Sequence, residues 1–314
     1  NRTIGNITFT DSTSNSHDLT ISGANILTLD VTTGFPTIDV TQSGRTLTIG
    51  SVSAGTDGLR KRGAGSLVLT ANNTYSGNTT ITGGTLTLSG SSGAIGSSSA
   101  ISLLSGAAFT ASNTSAANNT NRIGNSSGLT VTGGGAFSFL NDGSNTGFAE
   151  TLGTLTLTSG AFTLNTSQAG ASGTSALTLS SISRSAGGGT VLFAGTGFGN
   201  STRNRVLVTT ALNSQNVGGG TAILPWALIQ DGSTYNLAIG GAANGAITQL
   251  TTYATTSGSN PTWGATVNAR PGGNVTLTNN DRSLNSLVLD NTRVIGRGSQ
   301  NAVRTITIGS PTQA

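Results

Sequence analysis

The alternation of apolar and hydroxyl side chains along this sequence predicts an all-β chain of solenoid type. Three observations carry the prediction. Apolar residues fall in short runs at period 2, as strands with one buried face require. Glycine or asparagine stands at nearly every junction between runs, where tight turns demand a positive φ. No stretch of helical length carries a 3.6-residue apolar period.

The strand runs follow in order: Ile7–Thr10, Leu19–Ser22, Ile26–Asp30, Ile38–Thr41, Thr46–Ile49, Ser66–Thr70, Thr79–Thr82 and Thr85–Ser89. They continue with Leu129–Thr132, Ala136–Leu140, Thr154–Thr158, Ala161–Asn165, Leu177–Ser180, Val275–Thr278, Ser286–Asp290 and Thr305–Ile308. Each offers only two or three inward side chains, and aromatics are 4% of the chain. A sandwich or barrel uses larger strands and more rings, whereas a solenoid coil buries a few aliphatics between its neighbours. At about 20 to 25 residues per coil the chain makes about 12 to 15 coils. Rows of Thr, Ser and Asn then stack outward as ladders.

Composition sets the class. Charged residues are 8% and glycine is 47 of 314, unlike an ordinary cytosolic globule. Disorder is the rival reading of so much Gly, Ser, Thr and Asn, and the alternation of the apolar residues decides against it.

The net charge of +4 reflects scarcity of charge rather than a basic face. Only Arg60, Lys61 and Arg62 are contiguous cations, too few for nucleic acid, and the run reads as a solvated turn. Without cysteine there is no disulfide or thiolate metal site, and no cofactor is expected. No apolar run reaches the roughly 20 residues of a membrane-spanning helix. The first residues lack a signal peptide's basic and apolar regions, so an export signal is expected to be removed or to lie outside this sequence.

Three regions are expected: solenoid coils over 1–202, an irregular excursion over 203–273, and further coils over 274–314. The excursion gathers Trp226, Tyr235, Tyr253 and Trp263 in a chain otherwise poor in large aromatics. These rings form either a satellite core or an exposed patch for glycan or protein contact.

Residues 63–88 read GAGSLVLTANNTYSGNTTITGGTLTL, and this segment resembles the autotransporter-associated β-strand repeat. The residues that carry the resemblance are Gly63, Gly65, Leu67, Leu69, Asn73, Thr74, Tyr75, Gly77, Thr79, Ile81, Gly84, Thr85 and Leu86. It extends over about Gly58–Gly106, where GAIGSSSAISLLSGA continues the pattern. More loosely, the remainder resembles the giant repetitive surface proteins of environmental bacteria. The resemblance implies a right-handed parallel β-helix, export to the bacterial cell surface or beyond it, and roles in adhesion, aggregation or matrix building. By its residues alone, Tyr75 is expected to cover a coil edge at a turn with its hydroxyl in water.

The chain reads as a structural protein rather than an enzyme. His17 is the only histidine, no GxSxG elbow occurs, and the ten acids are scattered. Asp30 and Asp39 on adjacent coils would be the one carboxylate pair for polysaccharide cleavage, the competing enzymatic reading. Asn141–Asn145 has alternating oxygen ligands but no later bidentate Glu, and reads as an Asx-Gly turn rather than a calcium site.

Self-assembly is the expected partnership. Arg2, Thr3 and Ile4 near one end are similar to Arg304, Thr305, Ile306 and Ile308 near the other, and both segments read as interior strands. Head-to-tail joining of such ends generates an open fibre, with lateral bundling or glycan contact as further options.

Overall fold

The computed structural model describes residues 1–11, 17–142, 147–168, 173–185, 187–198, 203–212, 215–216, 222–240, 242–264, 267–278, 281–284, 286–290, 293–297 and 305–308. Among them every regular element is a strand.

The chain winds through three faces, each strand pairing in parallel with its counterpart one coil later. The third face is the longest. Its nine parallel strands among the described residues are Leu19–Ile21, Thr46–Ile49, Ser66–Leu69, Thr85–Leu88, Ala108–Asn113, Gly135–Asn141, Ala161–Gln168, Thr190–Gly195 and Ala222–Asp231. The second face runs from Asn6–Phe9 through Thr37–Val40, Leu59–Arg62, Thr79–Ile81, Ala100–Leu104, Gly128–Thr132 and Leu155–Leu157 to Ile182–Arg184. The first face holds Arg2–Ile4, Leu27–Leu29 and Ser53–Ala54, is carried on by the bridges Asn72↔Ala94 and Ile95↔Ile123, and resumes with Phe148–Leu152, Ser175–Leu179 and Asn204–Val208.

The alternation read from the sequence places the core. On the third face Leu47, Leu67, Leu86, Phe109, Phe137, Leu164, Phe193 and Ile229 stand in one inward column, all fully buried. Phe109 and Phe137 are in ring contact, with centroids 5.2 Å apart. Burying each such side chain contributes about 1.5–3 kcal/mol. The column is therefore what ties one coil to the next.

Coil length varies more than the expected range. Thr46 pairs with Ser66 and Ser66 with Thr85, 20 and 19 residues apart, but Ala108 and Ala136 are 28 apart and Val191 and Ala227 are 36 apart. The added residues sit between faces, where they leave the inward column intact.

Corners between the second and third faces depend on glycine at two positions. Gly63 has φ 76° and Gly84 has φ 59°, and a Cβ on either would lie 2.2 Å from a carbonyl oxygen of the preceding coil. No other residue fits there without displacing backbone.

Two expectations are corrected inside the repeat. Arg60, Lys61 and Arg62 form no solvated turn but the strand Leu59–Arg62, in register between Ile38 and Ile81. Period 2 turns both arginines outward and Lys61 inward, where it is completely buried. Tyr75 does not keep a wet hydroxyl: it is buried, and its OH bonds Thr79 Oγ1 at 2.9 Å, which bonds Ser98 Oγ at 2.9 Å.

The region 203–273 is not one excursion. Asn204–Val208 and the second half of Ala222–Asp231, from Ala227 on, are ordinary coil strands, paired in parallel with Ser175–Leu179 and Thr190–Gly195. The departure comes afterwards: Thr234–Ile239 folds back antiparallel on Ala222–Asp231, Thr248–Gln249 pairs antiparallel with it, and Gly245–Ala246 runs antiparallel to Asn204–Val208. The turn at Gly232, φ 60°, makes this reversal possible.

Parallel pairing then begins again. Gly258–Ser259, Val275–Leu277 and Ile295–Arg297 form one sheet, Asn268–Ala269 pairs Ser286–Leu287, and Arg282–Leu284 pairs Ile306–Ile308. These strands enclose a separate core of Trp263, Ala269, Val275, Leu277 and Leu284.

Candidate functional site

Charge buried inside the stack is the first feature to account for. The Nζ of Lys61 donates to the carbonyl oxygens of Arg62, Gly63 and Gly83 at 2.6, 3.0 and 3.1 Å. Burial lowers its pKa to about 8, against the opposing pull of the Asp39 carboxylate. The ammonium thus fastens a corner whose carbonyls point inward.

A larger buried network lies further along. The guanidinium of Arg122 donates to Asn113 Oδ1 at 2.8 Å, Gly93 O at 2.6 Å, Gly90 O at 2.7 Å and Ala117 O at 3.0 Å. Its backbone N–H donates to Glu150 Oε2 at 2.9 Å. Both residues are buried. Burial pushes the Glu150 carboxyl up to about 7, against backbone N–H donors and the nearby Arg122 charge, and burial lowers the pKa of Arg122.

Asn113, Asn141 and Gln168 stack in register beside this network, and Asn141 donates on to Ser175 Oγ at 2.8 Å. The donors and acceptors satisfy one another away from solvent. This arrangement clamps coils together and leaves no face of the carboxyl open to a substrate.

The other acids do not converge. Asp30 follows Leu27–Leu29 and Asp39 lies in Thr37–Val40, consecutive strands of one coil, so they do not stack on adjacent coils as the carboxylate pair required. His17 is exposed, and its backbone N–H donates to Asp11. Residues 143–145 of the possible calcium loop lie outside the described residues; Asn141 is buried in the amide ladder and Asp142 accepts from the Ser115 N–H at 2.7 Å. Among the described residues, no three of His, Asp and Glu gather as a metal site would require.

The four large aromatics of the middle region do not form one patch. Trp263 is inside the second core. Trp226 packs part-buried against the first core, with the Arg184 guanidinium carbon 5.3 Å from its ring centre. Tyr253 is half-buried, and its hydroxyl accepts from the Leu237 N–H at 3.2 Å. Tyr235 alone is well exposed, at 47%.

Arg270 joins the two parallel stacks, which no sequence pattern indicated. It holds Asp290 through two bonds of 2.8 and 2.9 Å, reaches Asn236 Oδ1 at 2.5 Å and lies over the Tyr253 ring. The carboxylate raises the Arg270 pKa, and the guanidinium holds Asp290 below its usual range.

The residues expected at the assembly ends lie on strands with one neighbour each among the described residues. Arg2, Thr3 and Ile4 pair with Leu27, Thr28 and Leu29. Ile306 and Ile308 pair with Arg282 and Leu284, Ile308 being exposed, and the Thr305 N–H donates to Asp281. Arg304 lies outside the described residues. Around the first coil Ile4, Ile7, Phe9 and Ile21 are only partly covered and Leu19 is exposed.

The sequence pattern of the passenger-associated-transport-repeat matches residues 59–92. The match covers the strands Leu59–Arg62, Ser66–Leu69, Thr79–Ile81 and Thr85–Leu88, and it bears out the resemblance read over this segment. No curated protein and no solved structure matches the chain. No helix among the described residues is long and apolar enough to cross a membrane.

Proposed function

We propose that this chain is a length of right-handed β-helical passenger, exported to the bacterial surface or beyond it, where it acts as a scaffold rather than a catalyst. One observation carries the reading: the segment matching the transport repeat is built seamlessly into a parallel stack, in register with coils on both sides. The right hand follows from the strong preference of parallel crossovers for that sense. An extracellular site is what a passenger-associated-transport-repeat over residues 59–92 supports.

As a scaffold the chain joins others end to end and supports adhesion or aggregation. The parallel pairing of each strand with the coils before and after it supports this, because the same pairing between chains would join them. Light scattering with electron microscopy over a concentration series tests it. Rods that lengthen with concentration are expected. Monomers of constant length at millimolar concentration would exclude joining.

A further inference from the structure

The run Arg60-Lys61-Arg62 divides its charge between two sides of the wall. Lys61 turns inward to the corner carbonyls, leaving two arginines on the outer side, their Cα positions about 7 Å apart as i and i+2 residues of a strand. Beside them lies an open trough of about 670 Å³, lined by Arg60, Arg62, Thr82, Gly84, Ser105 and Gly106. Its floor is the glycine corner, bare backbone continuing from coil to coil because side chains are excluded there.

The two arginines are held differently. Arg62 is exposed and stands 3.9 Å from Asp39, a weak pair that leaves its outer side free. The Arg60 guanidinium carbon lies 5.0 Å from the centre of the Phe35 ring, which fixes its position without neutralising it. The Nε of Arg60 is buried without a hydrogen-bond partner among the described residues. The terminal nitrogens of a guanidinium are the donors that a carboxylate or sulfate in the trough would take.

We propose that this trough binds an acidic polysaccharide, its carboxylates or sulfates on Arg60 and Arg62 and its hydroxyls on Thr82 and Ser105. The surroundings select a sugar chain. Hydroxyls flank the cations, the glycines of the lining leave the backbone open to a polymer, and outside the trough the part-exposed Phe35 ring lies against Arg60. Two guanidinium groups fall short of the longer cationic track that duplex DNA takes up. Binding here needs no end-to-end joining, so it stands or falls apart from the assembly proposed above.

The test is affinity electrophoresis of the whole chain through gels containing polyuronate, neutral glucan or a DNA duplex. Retardation by polyuronate alone is expected, weakened at least 10-fold by R60Q with R62Q and largely kept by R60K with R62K. Arg62 is exposed and Arg60 partly covered, and melting curves establish which variants fold as the parent does. Equal retardation by neutral glucan, tighter binding of DNA, or unchanged polyuronate binding by a folded R60Q/R62Q chain would each overturn the proposal.

Discussion

The Nζ of Lys61 lies 3.1 Å from the carbonyl oxygen of Gly83, so one ammonium links two successive coils from inside the stack. Lys61→Met keeps the stem but leaves three inward carbonyls without their donor. A loss of about 1–3 kcal/mol is expected. Urea unfolding followed by circular dichroism would show it, and an unchanged midpoint would mean that the ammonium is not holding the corner.

Two buried groups impose opposite pH dependence. Glu150 has a folded pKa near 7 against an ordinary value of 4.5, so the folded chain keeps a proton that the unfolded chain releases, and stability falls as pH rises between those values. The fall is at most roughly 3–4 kcal/mol, at about 1.4 kcal/mol per pH unit. Lys61 has a folded pKa of about 8 against 10.5, so the unfolded chain holds the extra proton and stability recovers as pH rises through that window. Above pH 10 the raised pKa of buried Tyr75 opposes that recovery. Thermal midpoints should therefore be lowest between about pH 7 and 8, and Glu150→Gln should remove the acid limb alone.

Tyr75→Phe removes one hydroxyl from the chain that runs through Thr79 to Ser98 while keeping the ring in place. A cost of about 1 kcal/mol is expected, because Thr79 keeps its second partner. Hydrogen exchange at the amides of Thr79–Ile81 should quicken, and unaltered protection there would contradict the buried placement of the hydroxyl.

These effects also mark what was legible in the sequence. Thr46–Ile49 was read with its observed limits, and Thr85–Ser89 with one residue to spare, because their alternation is unbroken. The strand Leu59–Arg62 was missed because Lys61 occupies a position its neighbours fill with isoleucine, so charge concealed the period. Arg122 and Glu150 are 28 residues apart, and only the register of irregular coils brings them together. The antiparallel closure at Thr234–Ile239 gave no distinct signal either, since strands of both senses share one alternation.

Trp226 and Trp263 should respond differently to removal. Trp263→Ala empties the second core and is expected to cost about 3–5 kcal/mol there, while Trp226→Ala takes away a part-buried ring and costs less. Limited proteolysis would separate them: early cleavage within 253–308 for the first, and a parent-like pattern for the second. The reverse pattern would place the second core elsewhere.

The parallel register itself is open to one direct measurement, because the chain contains no cysteine. Thr87 and Thr110 are outward partners on adjacent coils, and Ser138 follows Thr110 one coil further. Cysteines at 87 and 110 would sit about 4.8 Å apart and those at 87 and 138 about twice that, beyond the roughly 7 Å reach of a disulfide. The stacked solenoid predicts rapid, near-complete oxidation within the chain for Thr87→Cys with Thr110→Cys, and none for Thr87→Cys with Ser138→Cys. Equal oxidation of both pairs, or of the distant pair alone, would contradict the coil register on which the scaffold rests.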